Sequence, residues 1–167
     1  MDIKDVSYFC ITDSLKNIYY ELNYENVDRT LLLSNLTDEV SIVNDQTMFC
    51  VAKSTPTATN IYMILLCTRD ANEIFVKNAL DSFVECMDKI MKKQWSNERV
   101  ETKFDLIVFL INEFLYNGII LEDNESKLYG RLQKRPFESV GGIKVNRGLA
   151  SILNKAAKNV KKSFSPK

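Results

Sequence analysis

Apolar residues recur with a period of two in the first part of the chain and a period of three to four in the second. Tyr8 to Thr12 is an apolar and aromatic run followed by the turn formers Asp13 and Ser14. From Asn17 to Leu22, Ile18, Tyr20 and Leu22 alternate with Tyr19 and Glu21, which predicts a second strand joined to the first as an antiparallel hairpin. Val27, Leu31 and Leu32 lie at helical spacing, so a short helix is expected between Glu25 and Leu36. Glu39 to Val43 and Thr47 to Lys53 are strand material on either side of Asn44-Asp45, as one bent strand or as a hairpin. Ser54-Thr55-Pro56-Thr57 is a loop signal. Asn60 to Thr68 is apolar on both faces, the pattern of a central strand covered from two sides.

From Ala71 the period becomes helical. Val76, Leu80, Phe83, Met87 and Ile90 recur every three or four residues with charged residues between them, predicting a helix to about Trp95 with Asp70 as its N-cap. Ser96-Asn97 breaks it. A second long helix is expected over Glu98 to Asn117, with Gly118 as its C′ glycine. The run Leu106 to Ile111 is also compatible with a strand, but the length without Gly or Pro favours helix. Asp123 to Gln133 reads as a short helix capped by Asp123 or Asn124, and Lys134 to Val145 as a loop containing Pro136, Gly141 and Gly142. A last helix is expected over Asn146 to Phe164, with Leu149, Ile152, Leu153, Ala156, Val160 and Phe164 on one stripe.

Strands first and helices afterwards indicate an α+β fold: one antiparallel sheet with helices on its faces. The predicted organisation is a main domain over residues 1–135, followed over 136–167 by a loop and a basic amphipathic C-terminal helix. A length of 167 residues suits a single core.

Charge changes the picture of the C-terminal part. The net charge of the chain is zero, with 22 basic and 22 acidic residues. Residues 144–167 carry seven lysines and arginines and no acid, so the rest holds 15 basic against 22 acidic residues. An acidic body is followed by a basic tail. Met1 to Asp5 carries two acids and one lysine, unlike the basic start of a signal peptide, and no apolar run reaches the ~18 residues of a membrane span, so a cytosolic chain is expected.

There is no histidine, which removes Ser-His-Asp and Cys-His catalysis and the commonest metal ligand. Cys10, Cys50, Cys67 and Cys86 form no CxxC pair and sit among apolar neighbours, so reduced, buried thiols are expected. Gly141-Gly142-Ile143-Lys144 lacks the GxxxxGK(S/T) pattern of a phosphate loop. Glu122 and Asp123 suit a helix N-terminus better than paired-carboxylate catalysis. No enzyme, no cofactor and no metal are expected.

The segment from Phe109 to Asp123, Phe-Leu-Ile-Asn-Glu-Phe-Leu-Tyr-Asn-Gly-Ile-Ile-Leu-Glu-Asp, resembles a signature shared by clathrin-adaptor sigma chains and coatomer zeta. In both, a helix ends in (D/N)E(F/I)-x-x-x-G and leaves through a hydrophobic stretch. The ending Gly-Ile-Ile-Leu-Glu-Asp is more similar to zeta than to sigma. Asn60 to Phe75 resembles the family's central strand and the start of its long helix, and Leu149 to Phe164 its closing amphipathic helix. The resemblance spans roughly residues 8 to 164. It implies a longin-like (SNARE-like) domain with an about five-stranded antiparallel sheet, helices on both faces and a C-terminal amphipathic helix. It further implies a COPI coat subunit that binds the trunk of the gamma subunit and joins the beta and delta subunits. An Arf-family GTPase would recruit that coat to Golgi membranes for Golgi-to-ER and intra-Golgi transport. The rival readings are an adaptor sigma chain and a longin regulatory domain of a SNARE or tethering protein; the SNARE form predicts heptads and an anchor after the domain.

Four residues are candidates for a partner surface. The Glu98 to Asn117 helix is more apolar than one packed face requires, which singles out Phe104, Leu115 and Tyr116. Cover by another helix of the same chain is the alternative. Trp95 at a helix end is either an interface anchor or a cap on the core edge. Lys155, Lys158, Lys161 and Lys162 face anionic lipid, or stay solvated while the stripe beside them docks on protein. Nucleic acid is disfavoured by the acidic body and by a tail with one aromatic, Phe164. The isolated chain is expected to be marginal or to self-associate through its second long helix.

Overall fold

Five strands build one antiparallel sheet: β1 (Val6–Asp13), β2 (Ile18–Asn23), β3 (Val40–Val43), β4 (Gln46–Ser54) and β5 (Asn60–Cys67), in the spatial order β2-β1-β5-β4-β3. The structure is a computed structural model describing residues 4–34, 36–57, 59–133, 137–140 and 143–146. The chain divides into two units, Met1–Gly130 and Arg131–Lys167.

The central places of β1 and β5 follow from their composition. Every residue of β1 is buried, and β5 is buried from Met63 to Cys67, so both strands need cover on two faces. Register aligns Tyr8, Leu66 and Met48, and Cys10, Ile64 and Cys50, across β1, β5 and β4. These side chains pack with Leu32 and Leu33 of the short helix α1 (Arg29–Ser34) as one core layer. The alternate residues Phe9, Leu65 and Phe49 point to the opposite face. There Phe9 meets Phe83 edge-on at 5.4 Å, and Phe83 lies 4.8 Å from Phe114. The sheet is therefore sandwiched, with α1 on one side and longer helices on the other, as the α+β reading expects.

The long helix on that second face is α2 (Glu73–Met91). Asn72, not Asp70, caps it: its side-chain oxygen accepts the Phe75 N–H at 3.2 Å. Asp70 belongs to the preceding turn, in which the Ala71 N–H donates to the Thr68 carbonyl at 3.3 Å. The helix ends four residues before Trp95, because Lys92 and Lys93 both turn left-handed at φ 51° and 57°.

The single helix expected over Glu98 to Asn117 is two helices. Ser96 caps α3 (Asn97–Thr102), accepting the Arg99 N–H at 3.1 Å. Lys103, at φ −100° and ψ 10°, separates it from α4 (Phe104–Phe114). Leu115 then becomes extended and opens a small hairpin, β6 (Leu115–Tyr116) and β7 (Ile119–Ile120). Gly118 is thus a turn residue of a hairpin rather than a helix C′ glycine. Helix α5 (Glu125–Gln133) follows, with Asn124 accepting the Lys127 N–H at 3.1 Å, one of the two expected caps.

In the second unit, β8 (Phe137–Val140) pairs antiparallel with β9 (Ile143–Asn146). Within the stretch read as a loop, residues 137–140 and 143–145 are therefore strand. Gly-Gly between Val140 and Ile143 carries the signal of that pairing in the sequence. The expected C-terminal helix lies outside the described residues from 147 onward, as do Lys155, Lys158, Lys161 and Lys162.

Candidate partner interface

The β6–β7 hairpin is closed by Asn117 at φ 50° and Gly118 at φ 81°. Two successive positive φ values are the requirement of a type I′ turn, and Asn-Gly is the pair that meets it at least cost. A strand alternates its side chains, so Leu115 and Ile120 point into the core, at 2% and 8% exposure. Their neighbours Tyr116 and Ile119 pair with each other and point to solvent, at 69% and 41%. Leu121 beyond them is half exposed.

The hairpin is fixed to the start of β1. The Gly118 carbonyl accepts the Asp5 N–H at 2.8 Å and the Val6 N–H at 2.9 Å. The Asp5 carboxylate in turn accepts the Ile120 N–H at 3.1 Å. A Cβ at position 118 would stand 2.8 Å from the Val6 carbonyl oxygen, so close approach as well as φ demands glycine here.

Helix α4 buries Ile107, Leu110, Ile111 and Phe114. Its remaining surface is still apolar: Leu106, Val108 and Phe109 are half-buried, and Phe104 at its first turn is exposed. The Phe104 ring lies 6.4 Å from that of Tyr20 on the edge strand β2. Tyr20 and Leu22 pair with Ile11 and Phe9, so they share the face that carries α4. The edge strand, the flank of α4 and the outer side of the hairpin thus present aromatic and aliphatic side chains that the core does not enclose.

The four partner-surface candidates do not form one cluster. Phe104 and Tyr116 are exposed, Phe104 in the first turn of α4 and Tyr116 on β6 beyond its far end, with the ~17 Å length of the 11-residue helix between them. Leu115 is taken up by the core, because the helix gives way to a strand there and alternation turns it inward. Trp95 is buried too: its indole nitrogen donates to Asp88 at 2.8 Å, and the Lys53 ammonium lies 6.0 Å from its ring. Ile119 and Leu121 are exposed residues beyond the candidate set. Their signal was the Asn-Gly pair, which makes the stretch after it a strand with one outward face.

Reactive chemistry is weak among the described residues. Burial pushes the Cys10 and Cys67 thiols up to about 12, and Cys50 and Cys86 up to about 11, so none is a thiolate near neutrality. All four are free and buried. Burial also raises the Tyr8 hydroxyl, which donates to Glu21 at 2.8 Å. The described residues hold no group of His, Cys, Asp and Glu arranged for a metal ion, and none of their helices is long and apolar enough to cross a membrane.

No family model matches the chain. Coatomer subunit zeta of Encephalitozoon cuniculi (strain GB-M1) is 30% identical over 165 residues, 96% of both chains. Coatomer subunit zeta of Saccharomyces cerevisiae is 23% identical over 77 residues, 46% of this chain and 41% of that one. A chain of a homology model of the full-length AP-3 complex in a stretched open conformation shares the fold, with a TM-score of 0.53 at 14% identity over 96% of this chain and 99% of that chain. Sequence likeness along nearly the whole length and the adaptor-type fold agree, and the chain belongs to the coatomer zeta family of vesicle-coat subunits.

Proposed function

We propose that this chain is a binding subunit of a COPI-type coat and holds the trunk of the large gamma subunit, as the small half of an adaptor-like pair. The observation that carries the proposal is the 30% identity to a coatomer zeta over 96% of both chains. The apolar surface left by the fold agrees with it. Phe104, Tyr116, Ile119 and Leu121 are large hydrophobic side chains between 38% and 69% exposed, and permanent interfaces are built from such surface. In this reading the pair joins the beta and delta subunits, an Arf-family GTPase recruits the assembly to Golgi membranes from the cytoplasm, and the coat serves Golgi-to-ER and intra-Golgi transport. The chain contributes no catalysis; protonated, buried thiols and the lack of histidine support a purely binding role.

Co-expression with a gamma trunk, and separately with an adaptor large-chain trunk, followed by size-exclusion chromatography, tests the proposal. Co-elution with the gamma trunk alone is expected. Equal or better co-elution with the adaptor trunk, or none with gamma, overturns it.

A further inference from the structure

The other edge of the sheet carries an apolar strand that no described element covers. Strand β3 stands last in the order β2-β1-β5-β4-β3, and its sequence is Val-Ser-Ile-Val. Edge strands are commonly protected by lysine, proline or a bulge, and β3 has none of these. Val40 is 55% and Ile42 70% exposed. Their cross-strand partners are Phe49 and Thr47, so both point to the α2 side of the sheet.

The backbone of β3 is arranged to pair once more. Val43 and Gln46 flank the two-residue turn Asn44-Asp45, whose φ values are 50° and 63°. The pair closing such a turn is hydrogen-bonded, and bonding alternates along the ladder. Val43 and Ser41 therefore direct their N–H and C=O groups to β4. Val40 and Ile42 direct theirs outward. Beside Val40 a cleft of ≈ 170 Å³ opens between the strand and α2, with Phe49 and Val51 at its floor and Lys77 at its rim.

Charge identifies the occupant. Exposed acids stand at both ends of the strand, Asp38 and Glu39 before it and Asp45 after it. The cation at the rim, Lys77, is paired with Asp81. A second copy of this chain laid against β3 would bring acid against acid in either direction, which is destabilising. A segment with basic ends gains at both ends in either direction.

We propose that the outer edge of β3 accepts an extended segment of a partner protein by strand addition. The segment carries two apolar residues at i and i+2 and lysine or arginine at each end. Main-chain bonds to Val40 and Ile42 fix its register. The apolar pair lies over Val40 and Ile42, with one side chain in the cleft, and the basic ends meet Glu39 and Asp45. This surface is separate from the α4 and hairpin flank, and the inference stands independently of the coat reading.

The probe is a synthetic peptide, Lys-Arg-Val-Thr-Ile-Lys-Arg, titrated into the full-length chain and followed by amide NMR. Slowed hydrogen exchange is expected at Val40 and Ile42 but not at Ser41 and Val43, which are already bonded. A Glu-Glu-Val-Thr-Ile-Glu-Glu peptide should bind at least tenfold more weakly at low salt. The double variant Glu39→Lys, Asp45→Asn should narrow or reverse that preference, with unchanged far-UV dichroism and unchanged co-elution with a large-subunit trunk. Equal affinity for the two peptides, protection at β2 instead of β3, no binding, or a peptide-free dimer through β3 would each overturn the proposal.

Discussion

The Trp95 indole nitrogen donates to one oxygen of Asp88 at 2.8 Å, while the other oxygen takes the Lys53 ammonium at 2.7 Å. One partly buried carboxylate thus ties the end of α2 to β4 and to the segment leading into α3. It also supplies negative charge at a helix C-terminus, where the dipole disfavours it, so the Lys53 cation offsets both effects. Replacing Asp88 with Ala should cost about 2 kcal/mol, the range for hydrogen bonds to a charged group. Urea unfolding followed by fluorescence checks this directly, since Trp95 is the single tryptophan. Co-elution with a gamma trunk should survive, because Trp95 is a core residue here.

Gly118→Ala should destabilise the chain by about 1–3 kcal/mol, through its left-handed φ and the clash with the Val6 carbonyl. Asn117→Gly, in the same turn at φ 50°, adds no atom and keeps a residue that tolerates positive φ, so it should change stability by less than about 1 kcal/mol. The two denaturation midpoints compared at equal m-value give the result.

Leu115 and Tyr116 offer a contrast between adjacent positions. Leu115→Ala should cost about 2–5 kcal/mol by opening a core cavity. Tyr116→Asp should change the unfolding free energy by less than about 0.5 kcal/mol and Phe104→Asp should cost about 1 kcal/mol through its ring contact with Tyr20, yet together they should weaken trunk binding at least tenfold. A double variant that unfolds would show that these side chains serve the core instead.

Alkaline stability should follow the thiols. Burial holds the four cysteine thiols above their ordinary value of 9.0, at about 11 to about 12. The folded state thus keeps protons that the unfolded chain loses. The sign is fixed: this contribution is complete below pH 9 and falls away as pH rises towards 11–12. Thermal midpoints across that window should decline. Thiol titration near pH 8 should find no reactive cysteine until denaturant is added. Lys89 and Glu125 give a smaller acid-side effect: the lysine holds the Glu125 carboxyl below its usual range, so this link between α2 and α5 weakens as pH falls through that lowered value.

The sheet was legible because β1, β2, β4 and β5 combine alternation or two-sided apolar runs with turn residues between them. Helix α2 was legible because its apolar stripe persists for 19 residues. The misses arise where two local signals compete. Asp70 and Asn72 both suit an N-cap, and the turn at Thr68–Ala71 takes Asp70 out of the contest. Gly118 suits a helix end as well as a type I′ turn, and Asn117 before it decides for the turn. That choice shifts Leu115 from helix to strand and inverts which of Leu115 and Tyr116 faces solvent. Burial of Trp95 rests on Asp88 and Lys53, two partners from different elements that local pattern does not connect. The exposed edge at Val40 and Ile42 was invisible for another reason: an edge strand and an inner strand have the same alternation, and only the strand order distinguishes them.

The bond from Ile120 to Asp5 joins groups 115 positions apart, and the Gly118 carbonyl holds the same stretch of β1. Synthesis from Asp5 to Ile120 takes about 6–23 s at ~5–20 residues per second, and only then can β1 acquire these anchors. During that interval β1, buried along its whole length in the finished fold, has β2 and then β5 to pair with, so its inner residues find cover early while the end at Asp5 and Val6 is secured late.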